Sequence, residues 1–450
     1  MNPIRYCQIF LLTLCLVLTS LPVSARVASV ATRVDDEKFA FGKVDLDLLS
    51  EIQLLDDRFE KEGVVFHETN LDAYLKRVGA AVVADKKLEN VEWKFRALRD
   101  PVPNAFALPN GSIYINTGLL ALLDDENQLA AVIAHEITHV SERHTYLRNR
   151  SLRKIMLTMN IINTIGNWNP IGGPAGIAIS LIASVSPFML AISVLGYSKD
   201  QEKEADLEGL KAAAAAGFVP DGMPNSFKAM QRDVEGEQFN SFYSDHPKLQ
   251  ERVNYTSSSI SADARKLTED EAKTAKSDYL TVMEIADRHD VELAINEGRF
   301  RSAVFVSQKL VSLHPDSSEN VFYLAESYRT LGPRNAELTD QQRTSGAKKK
   351  AAKTRSKRTL EEQDAELLKT PEGQEAWKVN SEKSETLFLR ALELNRFNAS
   401  AHRGLGMLYE RLARKQDAAG EYAKYLELAP NAIDTERVRR RLAVLRESMN

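Results

Sequence analysis

Leu129-Ala130-Ala131-Val132-Ile133-Ala134-His135-Glu136-Ile137-Thr138-His139 is an apolar-periodic run that closes on two histidines four residues apart, with a glutamate directly after the first. On an α-helix, residues i and i+4 lie one above the other, so both imidazoles reach one metal while Glu136 leans toward the water bound there. Neutral imidazole nitrogens hold Zn2+ tetrahedrally, the open position takes a water whose pKa falls to about 7, and Glu136 stands where a general base is needed. This is a zinc hydrolase site in outline. The pattern fixes only three positions, so a pair of surface histidines is the competing reading, and the neighbouring chain has to decide between them.

A catalytic zinc takes three protein ligands, so His135 and His139 need a partner. The extended motif with a glycine and a further histidine fails, because Glu142 and Thr145 occupy those places. His144 is one residue out of register, points elsewhere on a continued helix, and reads as structural. The other known arrangement is a glutamate on a later helix, with an aspartate one turn further that hydrogen-bonds a ligand histidine. Glu202 and Asp206 have that spacing. Glu204, two residues along, is the alternative ligand but would face away from a metal held by Glu202.

A chain of 450 residues is too long for one ordinary core and suggests two or three domains. Its net charge of -4 gives no support for nucleic-acid binding. Arg5 precedes the apolar run Ile9 to Leu18, and Val23-Ser24-Ala25 follows, which reads as a signal peptide cleaved after Ala25. An uncleaved membrane anchor is the alternative, for which the run is short. Both cysteines, Cys7 and Cys15, fall in that segment, so the mature chain has neither a disulfide nor a cysteine nucleophile, which suits a bacterial periplasm.

From Asp47 to about Val82 the pattern is helical and amphipathic. Val91 to Leu98 then alternates with period two and reads as a strand, and Asn104 to Gly118 carries an Asn110-Gly111 turn between short extended segments, a hairpin signal. Ser112 to Asn116 is either an edge strand that pairs with an extended peptide or a buried strand that supports the site. Ala175 to Leu195 is almost wholly apolar and long enough to span a membrane, but Pro187 and its serines argue for a broken hairpin packed on protein or lying against lipid. A charged helix starts after Gly196 and ends at Gly217-Phe218-Val219-Pro220, another lies around Phe227 to Met230, and the polar run Thr256 to Lys276 reads as a linker.

Beyond Tyr279 small and aromatic residues recur in the phase of tetratricopeptide repeats: Gly298, Phe300 and Ala303 before Pro315, then Ala325, Tyr328 and Gly332, then Gly406, Tyr409, Ala418 and Tyr422 before Pro430. The middle repeat is interrupted at about 333–380, its second helix resuming near Ser384. Lys348 to Arg358 within the insertion is a solvated basic loop or a contact for acidic partners or anionic lipid. A last helix with Val438, Leu442 and Leu445 caps the stack. The expected architecture is therefore mainly α with a small β-sheet: a gluzincin-type HExxH zinc peptidase domain over 26–260, a linker at 261–278, and an α-solenoid of repeats over 279–450.

His135 to His139, with Asn104 to Leu120 before, Glu202 to Asp206 after and Asp245-His246-Pro247 beyond, resembles the zinc metallopeptidase family of the membrane heat-shock protease and the prenyl-protein endopeptidase. The signal peptide and C-terminal repeats are similar to its periplasmic members. The resemblance implies one zinc held by His135, His139 and Glu202, Glu136 as catalytic base, and Asp206 as proton donor or as support for a ligand. It also implies that His246 closes the fourth zinc position and holds the enzyme latent; without it, His246 reads as a loop histidine near the site. Thr138 is bulkier than the glycine often found there, and the insertion in the repeats departs from the family. The implied function is degradation of misfolded or stalled envelope proteins, outer-membrane β-barrel precursors among them, with contact to the barrel assembly machinery through the repeats and to a membrane surface through 175–195. A non-proteolytic chaperone or assembly factor with a latent metal site is the second reading.

Overall fold

The computed structural model describes residues 41–84, 88, 90–150, 197–232, 249–262, 264, 266, 269–335 and 359–449. The expected signal peptide, the apolar run 175–195, His246 and the basic run 348–358 lie outside the described residues.

α1 (Lys43–Lys61) buries Leu48, Ile52, Leu55 and Phe59, one stripe at helical spacing. It does not run on to Val82 as the sequence pattern suggests. The chain turns at Gly63, whose φ of 68° suits a residue without a Cβ, passes through β1 (Val65–Phe66), and re-enters α2 (Thr69–Val83), where Glu68 caps the start by accepting from the Leu71 amide at 2.7 Å. The two helices serve different packing sites: Phe59 of α1 meets the rings of Phe106 and Tyr114, whereas Leu71, Leu75 and Val78 of α2 join the core of Ile113 and Ile115.

β2 (Lys94–Leu98), β3 (Ala105–Ala107) and β4 (Ser112–Asn116) complete a sheet of order β1-β2-β4-β3. β4 pairs parallel with β2 and antiparallel with β3, so the hairpin forms as expected, with Gly111 at φ 94° in its turn. A Cβ at Gly111 would lie 2.7 Å from the carbonyl oxygen of Glu92. Of the two readings of Ser112 to Asn116, the edge strand is overturned: β4 is central and all its residues are buried, whereas β1 and β3 are the edges. Alternation marks a strand but says nothing of its neighbours, which depend on β2 reaching β4 across the hairpin.

β4 runs directly into α3 (Thr117–Leu122) and then α4 (Glu126–Ser141), capped by Asp125 accepting from the amides of Asn127 and Gln128. Every α4 residue from Asn127 to Val140 is buried, so this helix is the axis of the domain. α5 (Lys199–Ala215) crosses it with backbones almost touching: a Cβ on Gly209 would sit 2.9 Å from the His135 amide nitrogen. α6 (Gly222–Gln231) and α7 (Leu249–Ser258) close the far side. The loop before α6 is tied to α4 by the Val219 amide donating to the Asn127 side chain at 2.9 Å.

A long α8 (Glu269–Asn296) follows, then α9 (Phe300–Leu313), α10 (Ser318–Leu331), α11 (Leu360–Leu367), α12 (Pro371–Leu394), α13 (Ala399–Arg411), α14 (Lys415–Leu428) and α15 (Thr435–Glu447). α8 packs on α3, with the Tyr279 hydroxyl donating to the Leu120 carbonyl at 2.8 Å, and α8, α9, α10, α12, α13, α14 and α15 each pack on the next in that order. Gly406 admits the Tyr422 ring, to which a Cβ would come within 2.6 Å. Two boundaries move. The supposed linker from Thr256 to Lys276 is helical at both ends, because α7 continues to Ser258 and α8 starts at Glu269; the exposed Asp270, Glu271, Lys276, Ser277 and Asp278 carry no apolar period to read. The second helix of the interrupted pair begins at Pro371 rather than near Ser384, and α11 precedes it, clipped in place by Asp364 against Arg334 at 2.7 Å and Arg411 at 3.0 Å.

The junction of α3 and α8 buries carboxyl groups. Asp290 is 1% and Asp100 7% exposed, with Asp287 and its Lys309 partner alongside. Burial pushes the Asp290 carboxyl up to about 8 and the Asp100 carboxyl up to about 7. A folded-state pKa above the unfolded value of about 3.9 stabilises the fold at low pH, and that stability is lost as pH rises through 7 to 8. The melting temperature should therefore fall between pH 6 and pH 9. Asp290→Asn should remove much of the fall and melt about 3 °C or more above wild type at pH 9, as read by circular dichroism. Parallel pH profiles for the two proteins would rule this out.

Candidate metal centre

His135 and His139 project from one face of α4 with their Nε2 atoms 3.0 Å apart. Glu202, in the first turn of α5, stands opposite, its Oε2 3.6 Å from His135 Nε2 and its Oε1 3.6 Å from His139 Nε2. A tetrahedral zinc with bonds of about 2.0 Å sets its ligands about 3.3 Å apart, close to all three separations. The other face of each ring supplies a second test. His135 Nδ1 lies 2.8 Å from Asp206 Oδ1, and His139 Nδ1 lies 2.9 Å from His144 Nδ1. Ring protons on both Nδ1 atoms would leave the two Nε2 lone pairs facing each other, an arrangement that a cation between them would satisfy. His135, His139 and Glu202 are buried and form the metal-capable group among the described residues.

Asp206 is clamped. Arg252 donates to it through Nε at 2.9 Å and Nη2 at 2.6 Å, and the Tyr255 hydroxyl donates as well. Burial alone would raise the Asp206 carboxyl, but Arg252 and His135 hold it well below the usual carboxylate range. The Arg252 guanidinium also stacks 4.1 Å from the Phe227 ring centroid and approaches Glu202 Oε2 to 3.7 Å. Glu136 contrasts with Asp206. It is fully buried, and neither carboxylate oxygen has a hydrogen-bond partner of regular geometry among the described residues. Burial pushes its carboxyl up to about 7, Glu202 adding to the rise while His135 and the Ala107 amide of β3 oppose it. Thr138 fits where a smaller residue was expected because its hydroxyl donates to the Ala134 carbonyl at 2.9 Å.

Residues 69–259 match the model described as peptidase family M48. This stretch resembles an M48 peptidase domain. Among curated relatives, the mitochondrial metalloendopeptidase OMA1 of Schizosaccharomyces pombe is 31% identical over 42% of this chain and 52% of its own length. The beta-barrel assembly-enhancing protease of Yersinia pestis is 26% identical over 36% of this chain and 33% of its own. The metalloprotease LoiP of Escherichia coli is 30% identical over 36% of this chain and 61% of its own. The chain thus spans about half of the first of these relatives and a third of the second.

The fold brings His135, Glu136, His139, Glu202 and Asp206 together, and the donor set of His135, His139 and Glu202 fits the zinc on which M48 peptidases depend. Glu204 faces His144 instead, with Oε2 3.3 Å from His144 Nε2. His144 stays outside the ligand group, though not because of helix register. α4 ends at Ser141, Arg143 takes φ 55°, and His144 opens a new helical stretch that doubles back onto His139. Arg252, Tyr255 and Tyr197 escaped sequence reading. Tyr197 stacks on His139 with ring centroids 3.8 Å apart. An arginine in a polar helix reads as solvent-facing, and only the fold turns Arg252 inward.

Proposed function

We propose that this chain is a periplasmic zinc metalloendopeptidase that degrades misfolded or stalled envelope proteins, outer-membrane β-barrel precursors among them. The observation that carries the reading is a buried Glu136 carboxylate, without a regular hydrogen bond among the described residues, next to two imidazole Nε2 atoms 3.0 Å apart and the Glu202 carboxylate. His135, His139 and Glu202 would hold a zinc ion, which would lower the pKa of water and polarise a peptide carbonyl. Glu136 accepts the water proton on a carboxylate oxygen and passes it to the leaving amine. Asp206 orients His135 through Nδ1 and does not donate a proton, since Arg252 keeps it ionised. β3 is the sheet edge that packs against α4, β1 being the other edge, so an extended substrate adding to Ala105–Ala107 would lie beside Glu136.

The helices α8 to α15 act as tetratricopeptide repeats that engage unfolded clients and the barrel assembly machinery. Support comes from their stepwise packing, from Gly406 and Ala418 at the tight crossings, and from a cavity of about 540 Å³ lined by Glu292, Asn296, Tyr323, Asn398 and Arg403 among others. The envelope address rests on the leader-like N-terminus and on the resemblance to relatives such as the assembly-enhancing protease. Metal analysis with casein digestion tests the centre. Wild type should carry one zinc per subunit and digest casein, and Glu202→Ala should lose both. Full zinc in Glu202→Ala would remove the ligand assignment.

A further inference from the structure

The two histidines of the centre are held from behind by different chemistry. Behind His135 stands an ionised carboxylate, Asp206, fixed by Arg252 and Tyr255. Behind His139 stands another imidazole. Because His139 Nδ1 and His144 Nδ1 face each other at 2.9 Å, one proton lies between them, on one nitrogen only. His139 needs a bare Nε2 toward the metal, so its Nδ1 is the donor and His144 Nδ1 the acceptor. The ring proton of His144 must then sit on Nε2, and that atom meets Glu204 Oε2 at 3.3 Å. Tyr197 stacks flat on His139 with an interplanar angle of 15°, and its hydroxyl is anchored to Thr145 Oγ1 at 2.8 Å, so the ring plane is set as well.

We propose that His144 and Glu204 are positioning residues: Glu204 sets the tautomer of His144, which in turn sets the tautomer and orientation of the metal-facing His139. The pattern Glu202-Lys203-Glu204 thus divides its work, one carboxylate toward the metal and the other toward the back of a ligand histidine. Glu204 is about a quarter exposed, with a side-chain exposure of 27%, so this support runs from the buried centre to the surface of α5, whereas the support of His135 ends on a buried ion pair. The inference rests on the reading of His139 as a zinc ligand.

Chelator competition for Zn2+ on the purified full chain tests it. Loss of a hydrogen-bonding residue behind a metal-bound histidine costs about 10- to 100-fold in affinity. His144→Leu, which removes the acceptor at similar bulk, should fall in that range. His144→Asn, whose Oδ1 occupies nearly the place of Nδ1, should recover to within about threefold of wild type, and Glu204→Ala should lose less than His144→Leu. The metal-free melting temperatures should stay alike. His144→Leu within twofold of wild type would overturn the proposal, as would equal losses in His144→Leu and His144→Asn, which would leave a packing role alone. Glu202→Ala run in parallel separates the two readings. If it retains wild-type affinity, the ligand set itself is wrong; if it loses zinc while His144→Leu does not, only the positioning role fails.

Discussion

Glu136→Gln is expected to cut peptide hydrolysis about a thousandfold with zinc content and KM nearly unchanged, within the range of 10² to 10⁴ that a positioned general base contributes. Glutamine keeps the shape of the side chain but cannot accept the proton of the attacking water. The same substitution should not destabilise the fold. A buried carboxyl without regular hydrogen bonds is costly when charged, and with its pKa raised to about 7 that cost grows as pH climbs past neutrality. The metal-free variant should therefore melt at or above wild type at pH 8. Turnover of a quenched-fluorescence peptide measures the first effect and calorimetry with chelator the second. Activity within tenfold of wild type would remove Glu136 as the base.

Arg252→Ala should produce the largest loss of stability of the substitutions considered. The guanidinium is 1% exposed, pairs through two nitrogens with Asp206, reaches toward Glu202, and covers the Phe227 ring. Removing one partner of a buried ion pair leaves an uncompensated charge and costs about 3–5 kcal/mol. At about 2–4 °C per kcal/mol for a domain of this size, the metal-free protein should melt about 10 °C lower. Zinc should return part of the loss, because a cation at the centre again offsets Glu202 and, through His135, Asp206. Arg252→Lys should fall between, since an ammonium cannot span both Asp206 oxygens in the same plane. A drop below about 3 °C in chelator would show that Arg252 does not hold the site together.

His246 falls outside the described residues, and its role as a latency ligand stays a proposal with a signed outcome. His246→Ala should raise basal casein digestion and self-cleavage if the imidazole takes the water position. Activity at or below wild type with zinc retained would count against it.

Local pattern made the centre legible because its parts are periodic. His135, Glu136 and His139 share a helix whose apolar run announces it, and Glu202 with Asp206 repeats the one-turn spacing on the next helix that matters. The Asn110-Gly111 turn marked the hairpin for the same reason, since only a residue tolerant of positive φ suits Gly111. The polar first turns of α8 were illegible: a solvated helix start leaves no apolar face to detect.

By itself, then, the sequence determined the helix that carries His135 and His139, the spacing of Glu202 and Asp206 on a later one, and the chain of amphipathic helices that follows, because each is encoded over a few turns by spacing. Only tertiary structure decided which strands are the sheet edges, that Arg252 turns inward to Asp206, and that His144 folds back behind His139. Those contacts join residues brought together by a sheet crossover, by the passage of α5 over α4 at Gly209 and by one positive-φ turn at Arg143. None has a period, so no local pattern can announce it.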